Sequence, residues 1–203
     1  MQEIVVYDLN QTLYKKSSKD EFFKFICYKK GYKLVHLFQI GLLTVAGKLR
    51  LMSKTYFKEN FYDYLNKIPP EKVQKYAKQF WNVEFPEHFR EEMVADIIEK
   101  DKAGIKVYLV TGGFEIYTKY LEELLPLKVI GTLTKYVNED YKIIGKTCND
   151  AEKIRRLDAE IDGDYKILTS YSDDDEEILY EAEKGYFLED GELKLVQKEN
   201  KPD

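Results

Sequence analysis

The opening stretch MQEIVVYDLNQTLYKK, residues 1–16, decides the fold. Ile4-Val5-Val6-Tyr7 is a short run of β-branched and aromatic residues with no polar alternation, which predicts a strand buried on both faces. The run stops on Asp8, followed by Asn10 and Thr12. In open α/β sheets the ligand crevice lies at the carboxyl ends of the strands. A carboxylate at such a tip can act as a nucleophile or hold a metal. It can equally cap a turn, a common duty of Asp and Asn.

Working outward, four more segments read as strands: Ile105–Val110, Val129–Ile130, Lys166–Tyr171 and Tyr186–Leu188. Helical patterns separate most of them. Alternating strands and helices predict an α/β fold, a mostly parallel, Rossmann-like sheet with helices on both faces. Residues 18–85 break the alternation and show only helices. The expected set is Asp20–Lys30, Lys33–Leu51, a third from Ser53 to Ile68, and a fourth starting at Pro69-Pro70. A further helix, Glu87–Lys102, should feed the second core strand and end at Gly104. This divides the chain into a core, 1–17 and 86–203, and an inserted helical cap, 18–85. The apolar stretch Leu34–Val45 is too short to span a bilayer. A buried cap helix is the reading for it, with a membrane-surface face or an apolar substrate wall as alternatives.

Composition narrows the function. The chain has 203 residues, 44% of them hydrophobic, which supports a real core. Its net charge of −5 argues against nucleic acid as a partner. No transmembrane segment is expected, and no peripheral membrane contact is supported. Cys27 and Cys148 are far apart and share no metal-ligand spacing with His36 or His88, so neither zinc nor a disulfide framework is indicated. No secretion leader is read, so a reducing cytoplasm is expected. The oligomeric state is not legible.

Three other strand tips carry chemistry. Thr111-Gly112-Gly113 follows the second strand and suggests a phosphate cradle, a hydroxyl beside main-chain N–H groups at a helix start. Gly-Gly after a strand is also an ordinary turn. Asp150 looks like the N-cap of a helix carrying Lys153, which can reach a phosphate as a point charge or simply lie in solvent. Lys146 competes for that role; its Gly145-Lys146-Thr147 setting lacks the earlier glycine of a P-loop, since residue 140 is Asp140. The fourth tip, Asp173-Asp174-Asp175-Glu176-Glu177, can be a solvated helix start. It can also be the wall of a hard-metal site, with Asp173 and Glu177 at i and i+4.

In this order the four tips resemble the haloacid dehalogenase superfamily, in particular its phosphoserine-phosphatase-like branch with a helical cap. Its Asp-x-Asp-x-Thr motif stands here as Asp8-Leu9-Asn10-Gln11-Thr12. Thr111 with Gly-Gly-Phe, Lys153, and Asp173 with Glu177 match the other three. The resemblance implies a hydrolase acting on a small phosphorylated molecule through an aspartyl-phosphate on Asp8. It implies Mg²⁺ held by Asp8, the carbonyl of Asn10, and Asp173, with Glu177 acting directly or through water. Thr111, Gly112, Gly113 and Lys153 would hold the phosphoryl group. Two positions depart from the pattern. Glu177 replaces an aspartate. Asn10 replaces the aspartate that serves as acid and base, and an amide does neither. Three readings therefore stand open: a slowed or specialised phosphatase or phosphotransferase, a catalytically silent phosphoryl-binding or regulatory protein, and a non-phosphatase enzyme on the same scaffold.

Overall fold

The computed structural model describes residues 1–31, 33 and 62–197. Strands β1 (Gln2–Tyr7), β2 (Lys106–Phe114), β3 (Lys128–Thr132), β6 (Tyr165–Ser172), β7 (Lys184–Glu189) and β8 (Glu192–Leu195) form one sheet in the order β3-β2-β1-β6-β7-β8. All neighbours are parallel except β7 and β8. Strands β4 (Thr134–Val137) and β5 (Asp140–Ile143) make a separate antiparallel hairpin. The helices are α1 (Ser18–Lys29), α2 (Pro70–Glu84), α3 (Glu91–Lys102), α4 (Glu115–Thr118), α5 (Ala151–Glu160) and α6 (Glu177–Glu181). Residues 62–65 form a 3-10 turn.

β1 sits in the middle because its residues tolerate no water on either side. Ile4, Val5, Val6 and Tyr7 are all buried, and they alternate between two clusters. Val5 and Tyr7 pack with Val107, Leu109 and Val129, and with side chains of α1, α2 and α3. Ile4 and Val6 pack with Tyr108, Val110, Ile130 and Ile167, and with Leu157 of α5 and Ile178 of α6. The period of two along each strand thus supplies both faces of a layered core. β2 and β6 flank β1 on opposite sides, and the strand order reverses there, so a crevice opens at its carboxyl end.

The described part of 18–85 is helical. α1 and α2 pack through aromatic rings, with Phe22 and Phe80 at 5.3 Å. They also join the sheet's own core: Phe22 stacks on Tyr117 at 4.8 Å, and Trp81 Nε1 donates to the carbonyl of Tyr117 at 2.6 Å. The expected helix Lys33–Leu51, including Leu34–Val45 and His36, lies outside the described residues apart from Lys33. So does most of the one expected from Ser53. Among the described residues no helix is long and apolar enough to cross a membrane.

Two boundaries differ from expectation for physical reasons. β2 does not stop at Val110. Its pairing with β3 slips between Val110 and Phe114, so Thr111-Gly112-Gly113 bulges from the ladder and the strand resumes. α3 begins at Glu91, not Glu87, because the preceding residues are engaged elsewhere: Lys15 N–H donates to His88 O and Arg90 N–H to Leu13 O. The β4–β5 hairpin and β8 were not expected. Gly104 ends the turn after α3 with φ +76°, a conformation that suits glycine.

Candidate active site

The site is built at the tips of three adjacent strands, β2, β1 and β6. Asp8 follows β1 directly, and its N–H donates to Tyr171 O of β6 at 2.8 Å. Its side chain is almost closed off, with the residue 9% exposed. Lys153, in the first turn of α5, reaches over and donates to Asp8 Oδ1 at 2.7 Å. The same ammonium donates to Glu176 Oε2 at 2.5 Å, and Ser172 Oγ contacts that carboxylate oxygen at 3.1 Å. Burial works against the charge on Lys153, but Asp8 and Glu176 more than offset it and hold its pKa above the ordinary value. Burial raises the Glu176 pKa, Lys153 pulls it back, and Asp8 pushes it up again.

Helix α5 is fixed so that Lys153 arrives here. Arg156, buried one turn along, donates to Gly131 O at 3.0 Å and to Lys146 O at 2.9 Å. It also pairs with the buried Glu152. Of the two candidate lysines, Lys153 is buried against Asp8, whereas Lys146 is exposed. Asp150 does occupy the N-cap of α5, but without a side-chain capping bond.

Across the crevice Thr111 is fully buried, and its Oγ1 accepts the N–H of Gly113 at 3.2 Å. Gly112 O accepts the hydroxyl of Thr132, which in turn accepts the N–H of Cys148. The two glycines lie in the bulged end of β2, and the helix after them, α4, has only four residues. Gly113 has no room for a side chain, because a Cβ there would meet Tyr117 Oη at 2.9 Å.

Asp173 follows β6, and Thr12 Oγ1 donates to its Oδ1 at 3.2 Å. Burial, then repulsion from Asp8 and Asp174, lifts the Asp173 pKa to about 6. The acidic run is not a helix start with Asp173 and Glu177 on one face. Residues 173–176 form a bend, α6 begins at Glu177, and Glu176 is the acid that turns inward to Lys153. Asn10 is held differently again: its Oδ1 accepts the N–H of Ser18 at 2.7 Å.

Among the described residues no three His, Cys, Asp or Glu side chains converge as a metal group. Mg²⁺ makes a smaller demand, one or two carboxylates with waters and substrate oxygens completing its shell. Asp8 and Asp173 meet it. Each has one oxygen engaged in a hydrogen bond described above, and the repulsion that, after burial, lifts Asp173 is repulsion a cation would relieve. The residues fit the ion.

Sequence reasoning missed Glu176, Ser172 and Ser18. The first two stand beside a recognised motif, but a run of five acids has no internal signal to say which one turns inward.

The fold is shared with solved proteins. A protein of unknown function from Bordetella pertussis Tohama I superposes with a TM-score of 0.72 at 16% identity, over 84% of this chain and 82% of that one. A phosphoserine phosphohydrolase-like protein from Francisella tularensis gives 0.58 at 17% identity, over 91% and 86%. A phospho-aspartyl intermediate analogue of phosphoserine phosphatase gives 0.51 at 18% identity, over 91% and 85%. No curated protein matches the sequence. The model of the haloacid dehalogenase-like hydrolases matches residues 5–175, spanning every strand tip described above, and the chain belongs to that family.

Proposed function

We propose that this hydrolase is a Mg²⁺-dependent phosphomonoesterase that works through an aspartyl-phosphate on Asp8. The observation that carries the reading is the buried contact of Lys153 Nζ with Asp8 Oδ1. It orients one carboxylate oxygen and leaves the other to attack. A buried lysine at a strand tip, facing a buried carboxylate, is an arrangement for a charged ligand rather than for stability, since such pairs gain little over apolar packing.

In the first step Asp8 would attack phosphorus, and the ester P–O bond would break with its electron pair on the leaving oxygen. In the second, water would attack the same phosphorus, releasing phosphate and restoring Asp8. Lys153 and the hydroxyl of Thr111 would hold phosphoryl oxygens. Asp8, Asp173 and the main-chain carbonyl of Asn10 would hold Mg²⁺, which when bound supplies charge neutralisation of the phosphoryl group. Residues 18–85 would form the cap that selects the substrate. Small phosphorylated molecules are the class we propose, phosphoserine among them; a structural neighbour is named for acting on it.

Asn10 favours a second reading. Its acceptor end is engaged by Ser18, so only the amide N–H₂ is left for a ligand, and this neither protonates a leaving group nor activates water. The leaving oxygen must then take its proton from solvent. A phosphoryl-binding protein with slow or no turnover fits the same residues. A phosphatase screen over a metabolite panel, with and without Mg²⁺, separates the two. Mg²⁺-dependent release of phosphate supports the enzyme; bound Mg²⁺ with no turnover on any compound supports the silent protein.

A further inference from the structure

The turn that carries Asp8 and Asn10 is closed by its own main-chain bonds, Leu13 N–H to Asp8 O at 3.4 Å and Tyr14 N–H to Leu9 O at 2.8 Å, and is braced from outside as well. Gln11 sits at φ +55°, a left-handed conformation that costs a non-glycine residue about 1 kcal/mol and persists only when neighbours enforce it. Gln11 N–H donates to Lys16 O at 3.3 Å, and its carbonyl side is held by the segment between α2 and α3. Arg90 Nε donates to Thr12 O at 2.9 Å, and its Nη2 donates to Gln11 O at 3.2 Å. Its main-chain N–H donates to Leu13 O at 3.0 Å. Thr12 then passes the constraint on through its hydroxyl to Asp173.

Nothing about α3 asks for arginine at this position. Arg90 is the N-cap residue, makes no side-chain capping bond, and is followed by Glu91 and Glu92. A cation there opposes the helix dipole, and Ser, Asp or Asn would serve the helix better. The planar fork of a guanidinium is suited to two neighbouring carbonyls at once, which a lysine cannot match.

We infer that Arg90 is a positioning residue for the nucleophile. It holds the carbonyls of Gln11 and Thr12, so that Asp8 and the Thr12–Asp173 pair keep their places. The catalytic consequence rests on the phosphatase reading above; the structural part does not.

The test compares full-length wild type, Arg90→Ala and Arg90→Lys by hydrogen exchange and by steady-state kinetics on an aryl phosphate with Mg²⁺. In Arg90→Ala the amides of Leu13 and Tyr14, which close this turn, should exchange about tenfold faster, while those of β2 and α5 stay at wild-type rates. kcat should fall roughly 10- to 100-fold with KM nearly unchanged. Arg90→Lys should fall between, and millimolar guanidinium should restore part of kcat to Arg90→Ala. Unchanged exchange in the turn overturns the inference. So does faster exchange throughout the molecule, in Arg90→Ala or, where that variant fails to fold, in Arg90→Lys. If wild type turns over no phosphate at all, the phosphatase reading fails, and exchange alone decides the role of Arg90.

Discussion

The side-chain oxygen of Asn10 accepts the N–H of Ser18, the first residue of α1, at 2.7 Å. Asn10, one of the two positions that depart from the family pattern, thus ties the turn after Asp8 to the first helix beyond it. A second link starts from the same place, because Ser18 Oγ and Tyr117 Oη lie 3.0 Å apart, and Tyr117 Oη lies 3.0 Å from Tyr62 Oη. Position 10 is therefore constrained by helix capping whatever its part in chemistry.

Asn10→Asp should fold and should hydrolyse better. A carboxylate accepts the same N–H and suits the helix start electrostatically. With an acid and base restored, kcat/KM on an alkyl phosphate should rise by up to roughly 10²–10⁴-fold, and less on an aryl phosphate, whose leaving group needs no proton. Equal rates for variant and wild type on both substrates would remove position 10 from the explanation of activity.

Replacing Asp8 by Asn should abolish the covalent phosphoryl-enzyme and nearly all turnover. Lys153 keeps Glu176 as a partner, so the fold should survive. Acid-quenched protein weighed by mass spectrometry reports the intermediate directly. Wild-type turnover in this variant would mean that another group attacks phosphorus.

Lys153→Met leaves Asp8 and Glu176 as buried carboxylates without their cation. Removing one partner of such a cluster typically costs about 3–5 kcal/mol. Urea denaturation at pH 7 should show a loss of that order, and Lys153→Met with Glu176→Gln should recover part of it. A single variant as stable as wild type would place the lysine in solvent.

Without metal, Asp173 should make stability pH-dependent. Its folded pKa of about 6 lies above the ordinary 3.8, so its contribution is intact below about pH 4 and is lost as pH rises through about 6. Asp173→Asn should then melt higher than wild type in chelator at pH 7. The gain should be roughly 1–2 kcal/mol after solvent screening, and it should vanish near pH 4. The same variant should bind Mg²⁺ more weakly by calorimetry. A melting difference that does not change with pH would show that Asp173 ionises normally.

The alternation of strands and helices, and the strand tips at Asp8, Thr111 and Asp173, were legible because apolar runs ending in a polar residue have few other uses. Lys153 was legible from its place just inside a helix. Its acidic companion was not, since Glu176 and Glu177 differ only in which way a short bend turns. The β4–β5 hairpin escaped notice because its turn places Asn138 and Glu139 at φ 52° and 63°, and glutamate is not a residue that advertises such a turn. Arg90 left no trace either: its partners are main-chain carbonyls, and these carry no side-chain signature.

The central place of β1 has a consequence for synthesis. One neighbour, β2, begins at Lys106, but the other, β6, begins only at Tyr165. While the chain is being made, Ile4–Tyr7 thus keeps an unprotected hydrophobic edge until β6 has been synthesised, open to pairing with another nascent chain. Thr12 and Asp173 are likewise 161 residues apart. Asp8 leaves the ribosome long before the β6 residues that flank it, so a prematurely terminated chain would carry Asp8 without its neighbours.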